Sequence, residues 1–366
     1  MTHASSIADA RTARGGEPPR VSRYHGNPIL VPGRYPWRAA VSFNPGVVDV
    51  DGRVYLFERA AGSLRPFKGR VGLWYSDDGL SFEPVSETPV FAPEQMGYPD
   101  GAIEDPRVVH IDGRFYMSFA FRPYAYHCNP TGLGVPDYAP MHGTLDVGIN
   151  HTRSAIAVSD NLTDWEFVEF TTEPEVDDRD NVLFPERIDG RFALLRRPKT
   201  PLDAFEGRYC PGIWLTCSED DTFARWTEPR HVAGPIHPWE GTKIGAAGPP
   251  LRTEHGWLLL YHGVDSQAVY RVGAMLLDGA DPARVIARAP MPIMSPEHYY
   301  ECFGLVIPNV IFPTGTMIRG DDLYIYYGCA DTCIAVAFVS LSGLCDYLLS
   351  HRLQGRGGSA VGSTSV

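Results

Sequence analysis

The stretch Asp51–Ala60, DGRVYLFERA, decides the reading of this chain, because it returns. DGRFYMSFAF begins at Asp112 and DGRFALLRRP at Asp189; HGWLLLYHGV from His255 and DDLYIYYGCA from Asp321 are looser copies. Each copy puts a short polar turn ahead of a strand rich in aromatic and β-branched residues. An apolar segment, such as Gly46–Val50 or Val108–Ile111, precedes the turn. Apolar run, Asp-Gly, apolar run is the signature of a β-hairpin. A third strand follows each hairpin: VGLWYSDDGLSF, SAIAVSDNLTDWEF, IWLTCSEDDTFARW, VGAMLLDGADPARV and finally CIAVAFVSL. Aligned on Gly52, Gly113, Gly190, Gly256 and Asp321, the units step by 61, 77, 66 and 65 residues. Units of that length with at least three strands are too long for a solenoid and suit the blades of a β-propeller. A β-sandwich would leave the shared turn and third-strand patterns to chance.

The expected fold is therefore all-β, a single-domain five-bladed β-propeller over residues 21–350. Residues 1–20 are expected to be a disordered N-terminal arm, and the Gly/Ser-rich residues 351–366 a flexible tail. The 37 glycines and 32 prolines are scattered as turn punctuation, which fits many short strands. A net charge of −12 argues against nucleic acid or an anionic membrane as a partner. No apolar run reaches the roughly 18 residues of a membrane span. The polar first twenty residues lack the apolar segment of a secretory signal. Seven cysteines, without metal-site spacing, read as free thiols in a reducing compartment, so a cytoplasmic location is expected.

Polar residues recur in register. Arg59 and Arg197 each lie seven residues after their hairpin glycine, His262 lies six after its own, and Asn44 and Asp105 each lie eight before theirs. In a propeller such positions converge near the axis, so this recurrence points to a polar central site. Asp105 precedes Pro106, which should hold it extended at a strand entrance. There it suits a general acid for glycosidic cleavage, or an ion pair with Arg107. Glu186 and Arg187 flank the third hairpin as a second carboxylate and an anion ligand, or as a surface ion pair. Lys243 suits phosphate, and the small residues Gly245–Gly248 would let the backbone approach a ligand. It is no Walker loop, since the lysine precedes the glycines. Asp331 comes from YYGCADT in the fifth unit. Aromatics near strand ends, among them Tyr270, fit a sugar pocket or a packed core equally.

Seven ordered motifs carry a family resemblance: SFNPGVV, EDPRVV, LFPERIDGRFALLRRP, KIGAAGPP, GWLLLYHGV, VIPNVIFPTG and IYYGCADT. From about Asn27 to Asp346 the chain resembles glycoside hydrolase family 130, the β-mannoside phosphorylases and related β-mannosidases. The resemblance implies a five-bladed propeller. It makes Asp105 the general acid, passing its proton through a mannose hydroxyl. It places Arg59, Arg197, Lys243 and His262 at phosphate, and Asn44 and Asp331 on the mannose.

One departure matters: Phe184-Pro185-Glu186-Arg187 stands where phosphorylases of the family read Phe-Pro-Arg-Lys. Glu186 would repel phosphate and could activate water, whereas the cations Arg59, Arg187, Arg197 and Lys243 favour phosphate. The expected activity is inverting phosphorolysis of an oligosaccharide or disaccharide β-mannoside to α-mannose 1-phosphate. Phosphate is the co-substrate, with no cofactor and no metal. The alternatives are an inverting β-1,2-mannosidase with Glu186 as base, and a non-catalytic carbohydrate-binding propeller. A five-bladed hydrolase with three carboxylates is weaker, since no third carboxylate stands in register. The acceptor sugar is left to loops such as His127–His142 and Pro201–Cys210, and a homo-oligomer stays open.

Overall fold

The computed structural model describes residues 18–125, 152–172, 176–198 and 212–353. Most of the expected arm, the expected tail beyond 353 and both acceptor loops lie outside these. Five sheets are formed in chain order. The first holds β2 (Val41–Val50), β3 (Arg53–Ala61), β4 (Arg70–Ser76) and β5 (Glu83–Pro84). The second holds β6 (Ala102–Ile111), β7 (Arg114–Arg122), β8 (Arg153–Ser159) and β9 (Glu166–Phe170). The third holds β10 (Asp178–Leu183), β11 (Ala193–Pro198), β12 (Ile213–Cys217) and β13 (Arg230–Ala233). The fourth holds β14 (Lys243–Ala246), β16 (Gly256–Val264), β17 (Tyr270–Leu277) and β18 (Val285–Arg288), with β15 (Leu251–Thr253) beside β16. The fifth holds β19 (Ile311–Arg319), β20 (Asp322–Cys329) and β21 (Cys333–Ser340), and is completed by the N-terminal β1 (Ser22–Arg23), which pairs with Phe338 and Ala337. The first-to-last pairing closes the ring. It was not legible in the sequence, because a two-residue strand has no periodicity.

The central strands are apolar on both faces, since each face meets a neighbouring blade. Side chains alternate along β16: Trp257, Leu259 and Tyr261 pack against the third blade, and Leu258 and Leu260 against the fifth. Similar layers fill the other gaps, with Phe57 and Met117 between the first two blades and Leu56 and Tyr326 between the fifth and first. At about 25 cal/mol per Å2 of apolar surface removed from water, these five layers are the main force holding the ring. The hairpins turn on Asp51-Gly52, Asp112-Gly113 and Asp189-Gly190, both residues at positive φ. That is the twist-matched two-residue turn, which glycine and aspartate tolerate. A short α1 (Tyr299–Cys302) precedes the fifth blade and α2 (Leu341–Ser350) follows it, its N-cap Ser340 accepting from the Gly343 N–H. Among the described residues no helix is long and apolar enough to cross a membrane.

Candidate active site

The inner strands β2, β6, β10 and β19 each carry a bulge with a polar residue on it: Thr314 in β19, whose hydroxyl donates to the Pro45 carbonyl, and a left-handed residue in each of the other three. The pairing Phe43↔Arg59 is followed by Asn44, Glu104↔Ala120 by Asp105, and Arg179↔Arg197 by Asp180. These three have φ of 45°, 52° and 53°. A bulge re-aims a side chain out of the strand's alternation, and here it turns three polar groups toward one end of the channel. The expected extended backbone at Asp105 is thereby corrected. Proline restricts its predecessor against the helical region, but the bulge admits the left-handed one.

Those groups line a cavity of about 430 Å3, with Arg59, Glu104, Arg179, Arg197, Lys243, His262, Tyr270 and Asp331. It has two halves. On the side of the first, second and fifth blades, the Asp105 Oδ1 accepts from Asn44 Nδ2 at 2.8 Å and from an Arg59 guanidinium nitrogen at 2.7 Å. Arg59 also lies 3.5 Å from Glu104. The Asn44 amide leans over Gly328, where a Cβ would come within 2.0 Å of its Oδ1. Burial raises the pKa of Asp105, but Arg59, Arg107 and the Asn44 bond outweigh it and hold the carboxyl below its usual range. The ion pair expected as the alternative is not formed with Arg107, which instead donates to the carbonyls of Asp105 and Ala247.

On the side of the third and fourth blades, Arg197 Nε donates to Asp180 Oδ2 at 2.5 Å, and Lys243 Nζ donates to the Tyr270 hydroxyl at 2.8 Å. His262 Nε2 lies 3.6 Å from Asp180, and Arg107 3.7 Å. Burial lowers His262 to about 3 despite Asp180, with Arg197 and Lys243 adding to the fall, so its imidazole is neutral at pH 7. Burial raises Tyr270 to about 12, aided by Asp331, which keeps it a hydroxyl donor. Gly245 does not open backbone to a ligand as expected. A Cβ there would meet Asp180 Oδ2 at 2.2 Å and His262 at 2.5 Å, so its role is to admit those two side chains.

The structure thus brings together Asn44, Asp105, Arg59, Arg197, Lys243, His262 and Asp331. It does not bring Glu186 or Arg187. Glu186 is exposed and does not line the cavity. Arg187 donates to Asp112 at 2.7 Å and to Asp221 at 2.8 Å. The reason is directional. β10 leaves the cavity at Asp180 and runs toward the hairpin at Asp189-Gly190, so residues flanking that turn sit at the opposite end of the channel. Both are corrected to surface residues, and the base expected of a Glu186-dependent hydrolase has no place here. Asp180, Arg179 and Arg65 were missed. Asp180 lies ten residues before its hairpin glycine rather than eight, and only the strand pairing restores its equivalence to Asn44 and Asp105.

Comparison with known proteins gives the family and the fold. The family model described as β-1,4-mannooligosaccharide phosphorylase matches residues 18–349. A 1,2-β-oligomannan phosphorylase of a Thermoanaerobacter species is 34% identical over 332 residues, 89% of this chain and 99% of its own. A β-1,4-mannooligosaccharide phosphorylase of Ruminococcus albus is 31% identical, covering 90% and 91%. The fold matches a solved β-1,2-mannobiose phosphorylase from Listeria innocua, in complex with β-1,2-mannobiose. The TM-score is 0.71 at 24% identity, over 90% of this chain and 99% of that one.

Proposed function

The chain belongs to glycoside hydrolase family 130, and from that premise we propose that it is an inverting phosphorylase, cleaving β-mannosides with phosphate to α-mannose 1-phosphate. One observation carries this reading. Arg179, Arg197, Lys243 and Tyr270, from the third and fourth blades, line one cavity with Asn44, Asp105 and Asp331, from the first, second and fifth. Cations and a hydroxyl suit a phosphate dianion. The cavity carboxylate from the third blade, Asp180, is engaged by Arg197 and does not offer itself as a base for water.

In this mechanism the mannose ring rests against Asn44 and Asp331, with its anomeric carbon facing the anion. Phosphate bound by these cations attacks that carbon from the face opposite the leaving sugar, which inverts it. Holding both reactants at contact distance lowers the entropic part of the barrier. Asp105 assists departure of the leaving oxygen. Its lowered pKa leaves it ionised at pH 7. Desolvation by the sugar and the arriving negative charge both raise its pKa toward the protonated form a general acid needs. Arg59 is paired with Asp105 and Glu104, so it positions the acid and contributes to phosphate only at longer range. Five described cysteines are free, which suits a reducing, cytoplasmic setting.

Purified protein should be incubated with β-1,2- and β-1,4-linked mannosides, with and without phosphate. The expected product is α-mannose 1-phosphate, formed only with phosphate. Free mannose released at the same rate without phosphate would refute the reading.

A further inference from the structure

Four carboxyl groups line the cavity: Glu104, Asp105, Asp180 and Asp331. Three are engaged. Asp105 accepts from Asn44 and Arg59, Asp180 accepts from Arg197, and Glu104 lies within 4 Å of Arg59, Arg122 and Arg179. Asp331 has neither a hydrogen bond nor an ion pair among the described residues.

Its isolation is built into the backbone. Asp331 sits in the three-residue turn between the paired Cys329 and Cys333, with Ala330 and Asp331 both left-handed. That turn is fixed from several sides. Ala330 N donates to Val310 O at 3.0 Å, Ser42 N to Thr332 O at 3.0 Å, and Leu305 N to Thr332 Oγ1 at 2.7 Å. Gly304 lies so close that a Cβ there would come within 2.1 Å of the Ala330 carbonyl oxygen. The turn's backbone is held in place, and from it the Asp331 carboxyl lines the cavity.

We infer that Asp331 meets the sugar in its neutral, proton-bearing form, giving one O–H donor and one acceptor oxygen to the mannose, and that its ionisation sets the alkaline limit of turnover. This rests on the reading of the cavity as a mannoside site. A carboxyl without a hydrogen-bond or ion-pair partner, lining one cavity with other carboxyls, is the arrangement that keeps an acid neutral. The groups around it are Arg59 from β3, Glu104 and Asp105 from β6, Lys243 from β14, and Tyr270 from β17. Burial, then Asp105 and Glu104 against the opposing Arg59 and Lys243, raise Asp331 to about 7. A phosphate dianion screening Lys243 would raise it further. His262 at about 3 and Tyr270 at about 12 titrate outside that window.

The test has two arms. Carboxyl NMR of protein carrying 13C-labelled aspartate, compared with Asp331→Asn to assign the resonance, should show one aspartate with a midpoint near 7. Adding sulfate, which does not titrate in this range, should move that midpoint upward. An Asp331 resonance already ionised at pH 5 would overturn the inference. In kinetics, wild-type kcat/KM should fall about tenfold per pH unit on its alkaline side, and Asp331→Asn should lose that limb. A limb that persists in Asp331→Asn would overturn the role in turnover. If neither mannoside is cleaved, the proposed function fails, while the NMR result still decides the protonation state.

Discussion

Replacing Asp180 by alanine isolates the electrostatic core of the cavity. Asp180 is 3% exposed and sits between three basic side chains: Arg197 at 2.5 Å, His262 at 3.6 Å and Arg107 at 3.7 Å. Arg107 is 1% exposed and would keep only two backbone carbonyls as partners. Removing one member of a buried ion pair leaves an uncompensated charge, and costs about 3–5 kcal/mol. In a chain of this length that corresponds to a fall in Tm of roughly 6–10 °C, at about 2 °C per kcal/mol. The sign with pH follows from the folded pKa, which the nearby cations depress strongly despite burial. A depressed carboxylate contributes stability that is complete above its unfolded pKa and lost as pH falls through the folded one. The deficit of the variant should therefore be full at pH 7 and shrink in strong acid. Scanning calorimetry of both proteins from pH 7 downward measures it. A Tm within about 2 °C of wild type at pH 7 would refute the claim that Asp180 neutralises this cluster.

Three further outcomes are expected. Asp105→Asn should lower kcat by about 10²–10⁴, the contribution of a positioned general acid; full activity would remove Asp105 from the mechanism. Lys243→Met should raise the KM for phosphate by roughly tenfold or more, since a hydrogen bond to a charged group contributes about 1.5–3 kcal/mol. The KM for mannoside should move much less, and equal shifts in both would place Lys243 elsewhere. Glu186→Gln should leave phosphorolysis within about twofold of wild type, because that side chain is exposed and away from the cavity; a loss of tenfold would contradict its placement.

Hairpin position and blade number were legible because they are local, whereas the short fourth strand of each blade was not read. Asp-Gly turns and two-faced apolar strands declare themselves within ten residues, and the five copies declare the ring. The equal offset of Asn44 and Asp105 from their hairpin glycines marked them as equivalent positions, though not as bulges, since both blades have inner strands of one length. The same counting failed at Asp180, where the third hairpin is two residues longer. It also failed at Glu186 and Arg187, whose charged pattern resembled a site although they belong to the turn end. Which end of a strand opens onto the cavity depends on how five sheets stand around one axis, and no local pattern encodes that. Arg179, Arg197, Lys243 and Tyr270 come from two blades and Asp105 and Asp331 from two others, so their charges meet only after the ring closes. The chain by itself determined its strands, turns and repeat, through period-two burial and turn chemistry. Tertiary structure decided which carboxylates are matched by cations and which one stands alone, because pKa and partnership depend on neighbours far apart in sequence.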